Sequence, residues 1–281
     1  MIKPFRSAAP LSLALAALLL AACATTSSEL GSGYARDLRA LKQAGYARVD
    51  SLPLDAAWTA DDLARNFAHV AHARDHYRFD PQPLRKWRTP ARYRFVSMDA
   101  GPTPEERSHM QALARRLSAA TGLPLREVEG DESADILIFY FDHEERDALL
   151  RSGEIRNEVL LDLLENLQEG DDALCTFNTL HDADDPEQWT TMAMTVIRSE
   201  LPSEWRRSCL DEEVTQMFGP AYDHDSVRPS MFNDDEEFLF LTDHDEAMLR
   251  LIYDPRLRAG MTEAETGPIV AEILAEGGYG R

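Results

Sequence analysis

Six apolar residues stand in a row at Ile136–Phe141, where the sequence is ILIFYF. A strand with one face in water alternates apolar and polar side chains, so a run without alternation predicts a central strand that is covered on both faces. Another strand is predicted at residues 92–98, and between the two a helix begins at Pro104 and ends at Gly122. This order predicts an α/β or α+β sheet, and α+β is the preferred fold class.

The segments around this pair of strands complete the predicted architecture. Thr59 and Asp62 have the spacing of a capping box and open a helix on the N-terminal side of the sheet. Residues 142–172 are strongly charged but carry many leucines, and they predict one or two helices inserted after the central strand. An acidic loop follows at 181–189. Residues 190–197 alternate weakly, which predicts a further strand, with the sheet edge as one placement for it.

The N-terminus has the composition of an export signal. Lys3 and Arg6 precede an apolar run at 11–22 that is too short to span a membrane. Residues 20–23, with the sequence LAAC, resemble the lipobox of bacterial lipoproteins, in which the cysteine is acylated and becomes the first residue. The resemblance implies lipid attachment at Cys23, and Ala24 after it favours the outer membrane, with the protein facing the periplasm. The alternative is a plain signal peptide with an incidental cysteine.

The predicted domain organisation has three parts. Residues 1–22 form the signal peptide. Residues 23–57 hold the lipidated cysteine, a flexible tether at 24–33 made of small and polar residues, and a short helix at 34–43. Residues 58–276 form a single domain, with the insertion at about 142–189, because no repeat divides them and their length suits one core.

The charge of the chain excludes one class of partner. There are 29 Lys and Arg residues against 50 Asp and Glu, and loss of Lys3 and Arg6 with the signal peptide leaves 27 against 50, a formal charge of −23. Nucleic acids are bound largely through Lys and Arg at phosphates, so no nucleic-acid partner is predicted. The same acidity repels anionic headgroups, so membrane attachment is predicted through the acyl chain at Cys23 and not through the protein surface.

Cys175 and Cys209 are the cysteines that remain after the lipobox. An exported protein meets an oxidising compartment, so the simplest prediction is that the two form a structural disulfide. A reactive thiol and metal ligation are the alternatives, and no nearby CxxC or Cys-His spacing favours either.

The segment at 205–254 resembles the active-site region of metzincin proteases. Residues 205–218 predict a helix with one apolar stripe, and the next residue is placed to end it in a left-handed turn. In metzincins this helix carries HExxHxxGxxH, in which three His bind zinc and the Glu activates water. The matching positions in this chain are Glu212, Glu213, Gln216, Gly219 and Tyr222.

Later parts of the segment agree in order. Residues 230–233 resemble the Met-turn, although Met231 is one place early and Phe232 takes its position. A helix from residue 241 to 253 is similar to the last helix of matrixin-like enzymes. The resemblance implies a zincin-like domain whose mixed sheet is packed by an N-terminal-side helix and a degenerate active-site helix, without the three zinc ligands.

Neither zinc nor calcium is predicted as a cofactor. A Gln amide and a Tyr phenol are poor zinc ligands. His69, His72 and His76 recur at helical spacing after the capping box at Thr59. The outer two would lie about 10 Å apart along a helix axis, which is too far for one metal ion. Surface or core-edge positions are therefore the preferred interpretation. Oxygen ligands for calcium are present, although their spacing fits no EF-hand loop: Glu212, Asp223, Asp225, Asp234 and Asp235.

A wider set of motifs runs from about residue 58 to 273. It comprises RNF (65–67), KW (86–87) with Pro90, TG (121–122), CLDEEVTQMFG (209–219), MFND (231–234), LTDHD (241–245) and YDPRLRAGM (253–261). On this set the chain resembles a bacterial family named domain of unknown function 2927, which includes lipoproteins. The resemblance implies that EExxQ is the family's own pattern, and it implies no particular reaction.

These features leave three hypotheses about function. The preferred one is an exported lipoprotein whose non-catalytic, metalloprotease-like domain binds a peptide, glycan or envelope protein, with Glu212, Gln216, Tyr222 and Asp223 as candidate ligand-binding residues. The alternative is a metal-independent or atypical hydrolase that uses Glu213 as general base. A third hypothesis assigns the function to the acidic insertion, and the 205–218 helix then has only a structural role in the core.

Overall fold

The structure is a computed structural model that describes residues 26–72, 81–169, 173–182, 184–185, 187–233 and 235–279. The predicted signal peptide, Cys23 and residues 24–25 of the predicted tether lie outside the described residues.

Helices and strands are interspersed along the described chain, and together they form a mixed α+β fold. The helices are α1 (Ser27–Ala44), α2 (Ala60–His72), α3 (Pro104–Thr121), α4 (His143–Ser152), α5 (Glu158–Glu169), α6 (Ser203–Gln216), α7 (Asp243–Ile252) and α8 (Glu263–Ala275). The strands are β1 (Ala91–Ser97), β2 (Leu125–Glu127), β3 (Ile136–Phe141), β4 (Cys175–His181) and β5 (Thr190–Arg198).

The five strands form one mixed sheet in the order β2-β1-β3-β5-β4. All neighbours are parallel except β4, which runs antiparallel to β5. The prediction of a central strand covered on both faces is confirmed for β3. Ile136, Ile138 and Tyr140 belong to the main core on one face, and Phe139 and Phe141 belong to a second cluster on the other.

The edge placement offered for residues 190–197 is wrong. Strand β5 lies between β3 and β4, and β4, which was not predicted, forms the edge. The weak alternation misled because Thr195, a polar residue, is fully buried in β5. Its Oγ1 donates a hydrogen bond of 2.9 Å to the Thr176 carbonyl of β4, so the neighbouring strand satisfies the hydroxyl.

Helices cover both faces of the sheet. Side chains of α3 and α6 join Ile136, Ile138 and Tyr140 in the main core, and α2, α7 and α8 pack together beyond them. The predicted insertion forms two helices, α4 and α5. Leucines of α5 cover the second face, where they meet Phe139, Phe141, Met194 and Val196. The insertion therefore supplies a layer of the fold.

Capping explains where α3 begins and ends. The Thr103 side chain accepts from the Glu106 N–H while the Glu106 carboxylate accepts from the Thr103 N–H, and Pro104 occupies the first turn. At the other end Gly122 has φ +73°, which ends the helix in the left-handed region. Both boundaries match the sequence prediction.

Helix α1 begins at Ser27, and not at residue 34 as predicted. The Thr26 side chain caps it, so the prediction of a flexible tether is wrong from that point on. The helix is docked on the domain, since the Ser27 N–H donates to Glu144 Oε1 at 2.9 Å and Leu38 is buried. A polar composition favoured a tether, but the capping box, the buried Leu38 and the packing of Tyr34 and Leu41 against the core hold this segment as a helix.

The predicted disulfide is confirmed. Cys175, the first residue of β4, is bonded to Cys209 of α6, with the two Cα atoms 5.9 Å apart. The bridge holds the edge strand of the sheet against α6, and so positions the strand beside the candidate site.

Candidate functional site

Helix α6 is buried along almost its whole length. The predicted apolar stripe of Leu210, Val214, Met217 and Phe218 is buried. Two polar residues on the flank of that stripe are buried as well, because Glu213 is only 5% exposed and Gln216 only 4%. These side chains therefore need partners inside the protein.

Gln216 and Asp223, two of the predicted ligand-binding residues, contact each other. The Gln216 Nε2 donates a hydrogen bond to Asp223 Oδ1 at 2.7 Å, which links α6 to the loop that follows it. Burial, followed by the negative charge of Asp223, raises the pKa of Glu213 well above its usual value. Glu213 therefore favours its neutral, protonated form.

The remaining predicted residues divide between two cavities. Glu212 and Glu213 line a cavity of about 170 Å³ that also contacts the Cys175–Cys209 bridge and Trp205. Tyr222 lines a different cavity, of about 300 Å³. The sequence-predicted residues thus do not converge on one pocket.

The larger cavity, which we call the β4 cleft, is bordered by the edge strand. It is lined by Arg85, Phe177, Asn178, Thr179, His181, Ala221 and Tyr222. Sequence reasoning missed all of these except Tyr222. Strand β4 was not predicted, and Arg85 stands beside the KW motif without a catalytic pattern of its own.

Hydrogen bonds on both sides of Arg85 hold its segment in place, and we call this set of contacts the clamp. Leu84 exchanges backbone hydrogen bonds with the loop after α7, through Gly260 and Met261. The Lys86 ammonium is buried and donates to the Ile252 and Leu257 carbonyls at 2.8 and 3.0 Å. The backbone at Arg85 is therefore fixed relative to α7.

Trp87 extends this clamp to α6. Its indole N–H donates to the Met217 carbonyl at 2.9 Å, at the C-terminal end of α6. Its backbone N–H donates to the Tyr253 hydroxyl at 3.0 Å. The KW motif therefore joins the end of α6 to the end of α7, and it holds Arg85 at the β4 cleft.

Gly219 lies just after the end of α6, next to Arg85 and Ile252. Its φ is +129°, and a Cβ added there would lie 2.8 Å from the Arg85 carbonyl oxygen and 3.0 Å from Ile252 Cγ2. The glycine that the metzincin pattern marks is therefore required by close backbone approach in this chain.

Replacing Gly219 with Ala should lower the free energy of unfolding by about 2–3 kcal/mol, because backbone strain and a backbone clash both oppose the new methyl group. Denaturant unfolding measures the loss. Gly122→Ala is the matched control, since Gly122 also has positive φ but open space around its Cβ position. Equal losses in the two variants would contradict the close approach at Arg85.

The turn that resembles a Met-turn is held by a buried carboxylate. Asp245 accepts hydrogen bonds from the Ser230 hydroxyl at 2.5 Å, from the Met231 N–H at 3.3 Å and from the Thr242 N–H at 2.8 Å. Burial raises the pKa of Asp245 to about 6 in spite of these donors. The residue joins the turn to the start of α7, which is a structural role.

The two candidate histidine ligands that the structure describes, His69 and His72, have different partners. His72 is buried and its two ring nitrogens contact the Gln82 carbonyl and the Thr266 hydroxyl, at 2.8 and 2.9 Å. His69 stacks on His224 with ring centres 3.8 Å apart. His76 lies outside the described residues. His72 is therefore a core histidine with satisfied hydrogen bonds.

The described part of the chain shows no preformed metal site. Within it, no group of three or more His, Cys, Asp and Glu side chains is arranged to hold a metal ion. Asp234, one of the five candidate calcium ligands, lies outside the described residues.

Comparison with known proteins places the chain in a family. None of the described helices combines the length and the apolar character needed to cross a bilayer. A search of curated proteins finds no match to the chain. One family, described as protein of unknown function (DUF2927), has a sequence model that matches residues 60–272, about three-quarters of the chain. The chain therefore belongs to the DUF2927 family, as its motifs indicated.

Proposed function

We propose that this protein is an exported lipoprotein, attached at Cys23 to the outer membrane and facing the periplasm, whose zincin-like domain binds an extended peptide without cleaving it. The lipobox at 20–23 supports the attachment. The order of α6, Gly219, the turn at 230–233 and α7 supports the zincin-like arrangement. Oxygen-bearing side chains at the three zinc-ligand positions favour binding over metal-dependent hydrolysis.

The observation that carries the proposal is the free edge of β4. This strand pairs with β5 and with no other strand of the described chain, and the β4 cleft lies beside it. An exposed strand edge offers a row of backbone donors and acceptors to another extended chain. A peptide is the ligand class that uses such a row fully.

The hydrogen-bond pattern identifies the residues that face outward. The Arg198 N–H donates to the Leu174 carbonyl, so alternate residues of β4 from that point bond to β5. The Ala193 N–H donates to Asp135, on the β3 side, which confirms that its partner in the register, Thr179, is not bonded to it. Phe177 and Thr179 therefore turn their backbone N–H and C=O groups away from the sheet.

Side-chain direction places the cleft on the α6 side of this edge. Cys175 points to α6 because it is bonded to Cys209, and Phe177, two residues on, packs partly against the main core. A strand added to β4 would therefore lie along the β4 cleft, with alternate side chains directed into it. Glu213 lines the other, smaller cavity and is not among the residues that line the β4 cleft.

Thr179→Pro should weaken peptide binding at least about 10-fold while leaving the domain folded, because proline removes the outward N–H and spares the bonds to β5. Random octapeptides selected on the full-length protein supply the probe, and fluorescence anisotropy measures affinity. Thr179→Val is the matched control, since it keeps the N–H and should bind much more tightly than the proline variant.

Two results would contradict the proposal. One is the absence of any selected octapeptide, and the other is equal affinity of the Pro and Val variants. Hydrogen exchange offers a second readout, because a bound strand should slow exchange at the Phe177 and Thr179 amides.

A further inference from the structure

The side chain of Arg85 places a positive charge in the β4 cleft. Its Nη1 contacts His181 Nδ1 at 2.6 Å, and no carboxylate of the described residues forms an ion pair with it. The chain has 50 acidic residues against 29 basic ones, so carboxylates are abundant. Arg85 lies in a cavity, and none of the described carboxylates pairs with it. Its guanidinium can therefore bind an anion from another molecule.

His181 adds a hydrogen-bond donor to the site while it stays neutral. A guanidinium N–H can only donate, so the Nδ1 of His181 accepts and its proton resides on Nε2. Burial and the neighbouring Arg85 guanidinium both lower the pKa of His181, which favours this neutral form. The pair therefore offers hydrogen-bond donors, the remaining guanidinium N–H groups and one imidazole N–H, and a carboxylate is the complementary acceptor.

The arginine is positioned before any ligand arrives. Hydrogen bonds on both neighbours, Leu84 and Lys86, hold its backbone, and His181 fixes the direction of its side chain. A preorganised guanidinium loses less conformational entropy when it forms a paired hydrogen bond to a planar carboxylate.

We propose that Arg85, oriented by His181, binds a carboxylate of the extended peptide that pairs with β4. The inference rests on the proposed function, because the peptide that occupies the strand edge supplies the anion. The peptide has two sources of this group, its C-terminal carboxylate and an Asp or Glu side chain. His181 is the last residue of β4, so the carboxylate lies near the end of the paired segment.

The test uses random octapeptides selected on the full-length protein, each then made in matched forms. One form has an amidated C-terminus, and another has Asn or Gln in place of each Asp or Glu. We expect that one of these neutralised forms binds about 10- to 100-fold more weakly, which also identifies the source of the carboxylate. Inorganic phosphate in millimolar amounts should compete weakly, since it lacks the strand.

Arg85→Gln should remove this difference, so that carboxylate and neutralised peptides bind alike. Arg85→Lys should retain part of it, because an ammonium keeps the charge and loses the planar fork. Arg88→Gln is the matched control, since Arg88 is exposed and lies over the Trp189 ring, outside the residues that line the cleft. Thermal unfolding of each variant checks that the fold is retained.

The outcomes separate this inference from the proposed function. Peptides that bind equally with and without their carboxylates would overturn the role of Arg85 and leave strand pairing in place. An equal loss in Arg88→Gln would also overturn it, because general charge attraction would then explain the preference. Failure to select any peptide would overturn both proposals.

Discussion

The Cys175→Ala/Cys209→Ala variant should lose about 3–4 kcal/mol of unfolding free energy. The two cysteines are 34 residues apart, and closing a loop of that length restricts the unfolded chain by about this amount in the entropic model. The bridge also joins β4, an edge strand, to α6, so its removal should loosen the strand locally before the domain unfolds. The largest single effect on stability is therefore expected here.

Urea unfolding of the full-length protein measures this loss, with and without a thiol reductant. The unaltered protein in reductant should approach the double variant, and the reductant should leave the variant unchanged. A variant that unfolds at the same urea concentration as the oxidised protein would contradict a structural role for the bridge. Hydrogen exchange at Thr176 and Asn178, which face β5, reports the local loosening.

Glu213→Gln should make the protein more stable at neutral and higher pH. Burial raises the folded-state pKa of Glu213 well above the value that applies in the unfolded chain, and Asp223 adds to the shift. Such a group contributes stability that is fully present below its unfolded pKa of about 4.5 and is lost as pH rises toward the folded pKa. Glutamine resembles the protonated acid and does not titrate, so the variant avoids this loss.

The expected signature is a difference between variant and parent that grows with pH. It should increase by at most about 1.4 kcal/mol per pH unit for as long as the folded carboxyl keeps its proton. Comparing the two proteins at each pH cancels the titrations of Asp245 and His244, whose pKa values are shifted to about 6 and about 4. Urea unfolding from pH 5 to 8.5 supplies the measurement.

Glu213→Ala separates titration from packing. Alanine also lacks an ionisable carboxyl group, so the pH dependence of this variant should parallel that of Glu213→Gln. Alanine leaves a cavity as well, so this variant should be less stable than Glu213→Gln by a constant amount. Parallel curves for the parent and the Gln variant would show that Glu213 is ionised in the fold. A hydrolytic activity of the full-length protein that Glu213→Gln abolishes would instead favour the general-base alternative.

Local signals in the sequence were sufficient for most elements. The helix from Pro104 to Thr121 was predicted from its first-turn proline and its terminal glycine, because the signals that begin and end a helix lie within a few residues of its ends. The run at Ile136–Phe141 was predicted as a covered strand, because an apolar face must be buried whatever covers it. The Cys175–Cys209 pairing followed from the count of cysteines in a chain that is predicted to be exported.

The candidate site was predicted only in part. Gln216 and Asp223, both named as candidate ligand-binding residues, contact each other at 2.7 Å, a contact that the sequence did not predict. Glu212 and Tyr222 line separate cavities, because the chain turns sharply at Gly219 and directs Tyr222 toward the sheet edge. Spacing along a helix could not foresee that separation.

The sequence by itself determined the helices with strong caps, the buried central strand, the disulfide and the acidic character of the surface, since each depends on residues close together in the chain or on composition. Only the tertiary structure decided that β4 is the edge of the sheet and that Arg85 meets His181, a residue 96 positions away. The order of the strands is set by the path that the long connections take back to the sheet. No local pattern encodes which strand will be the neighbour of another. The proposed binding site is formed by these long-range contacts.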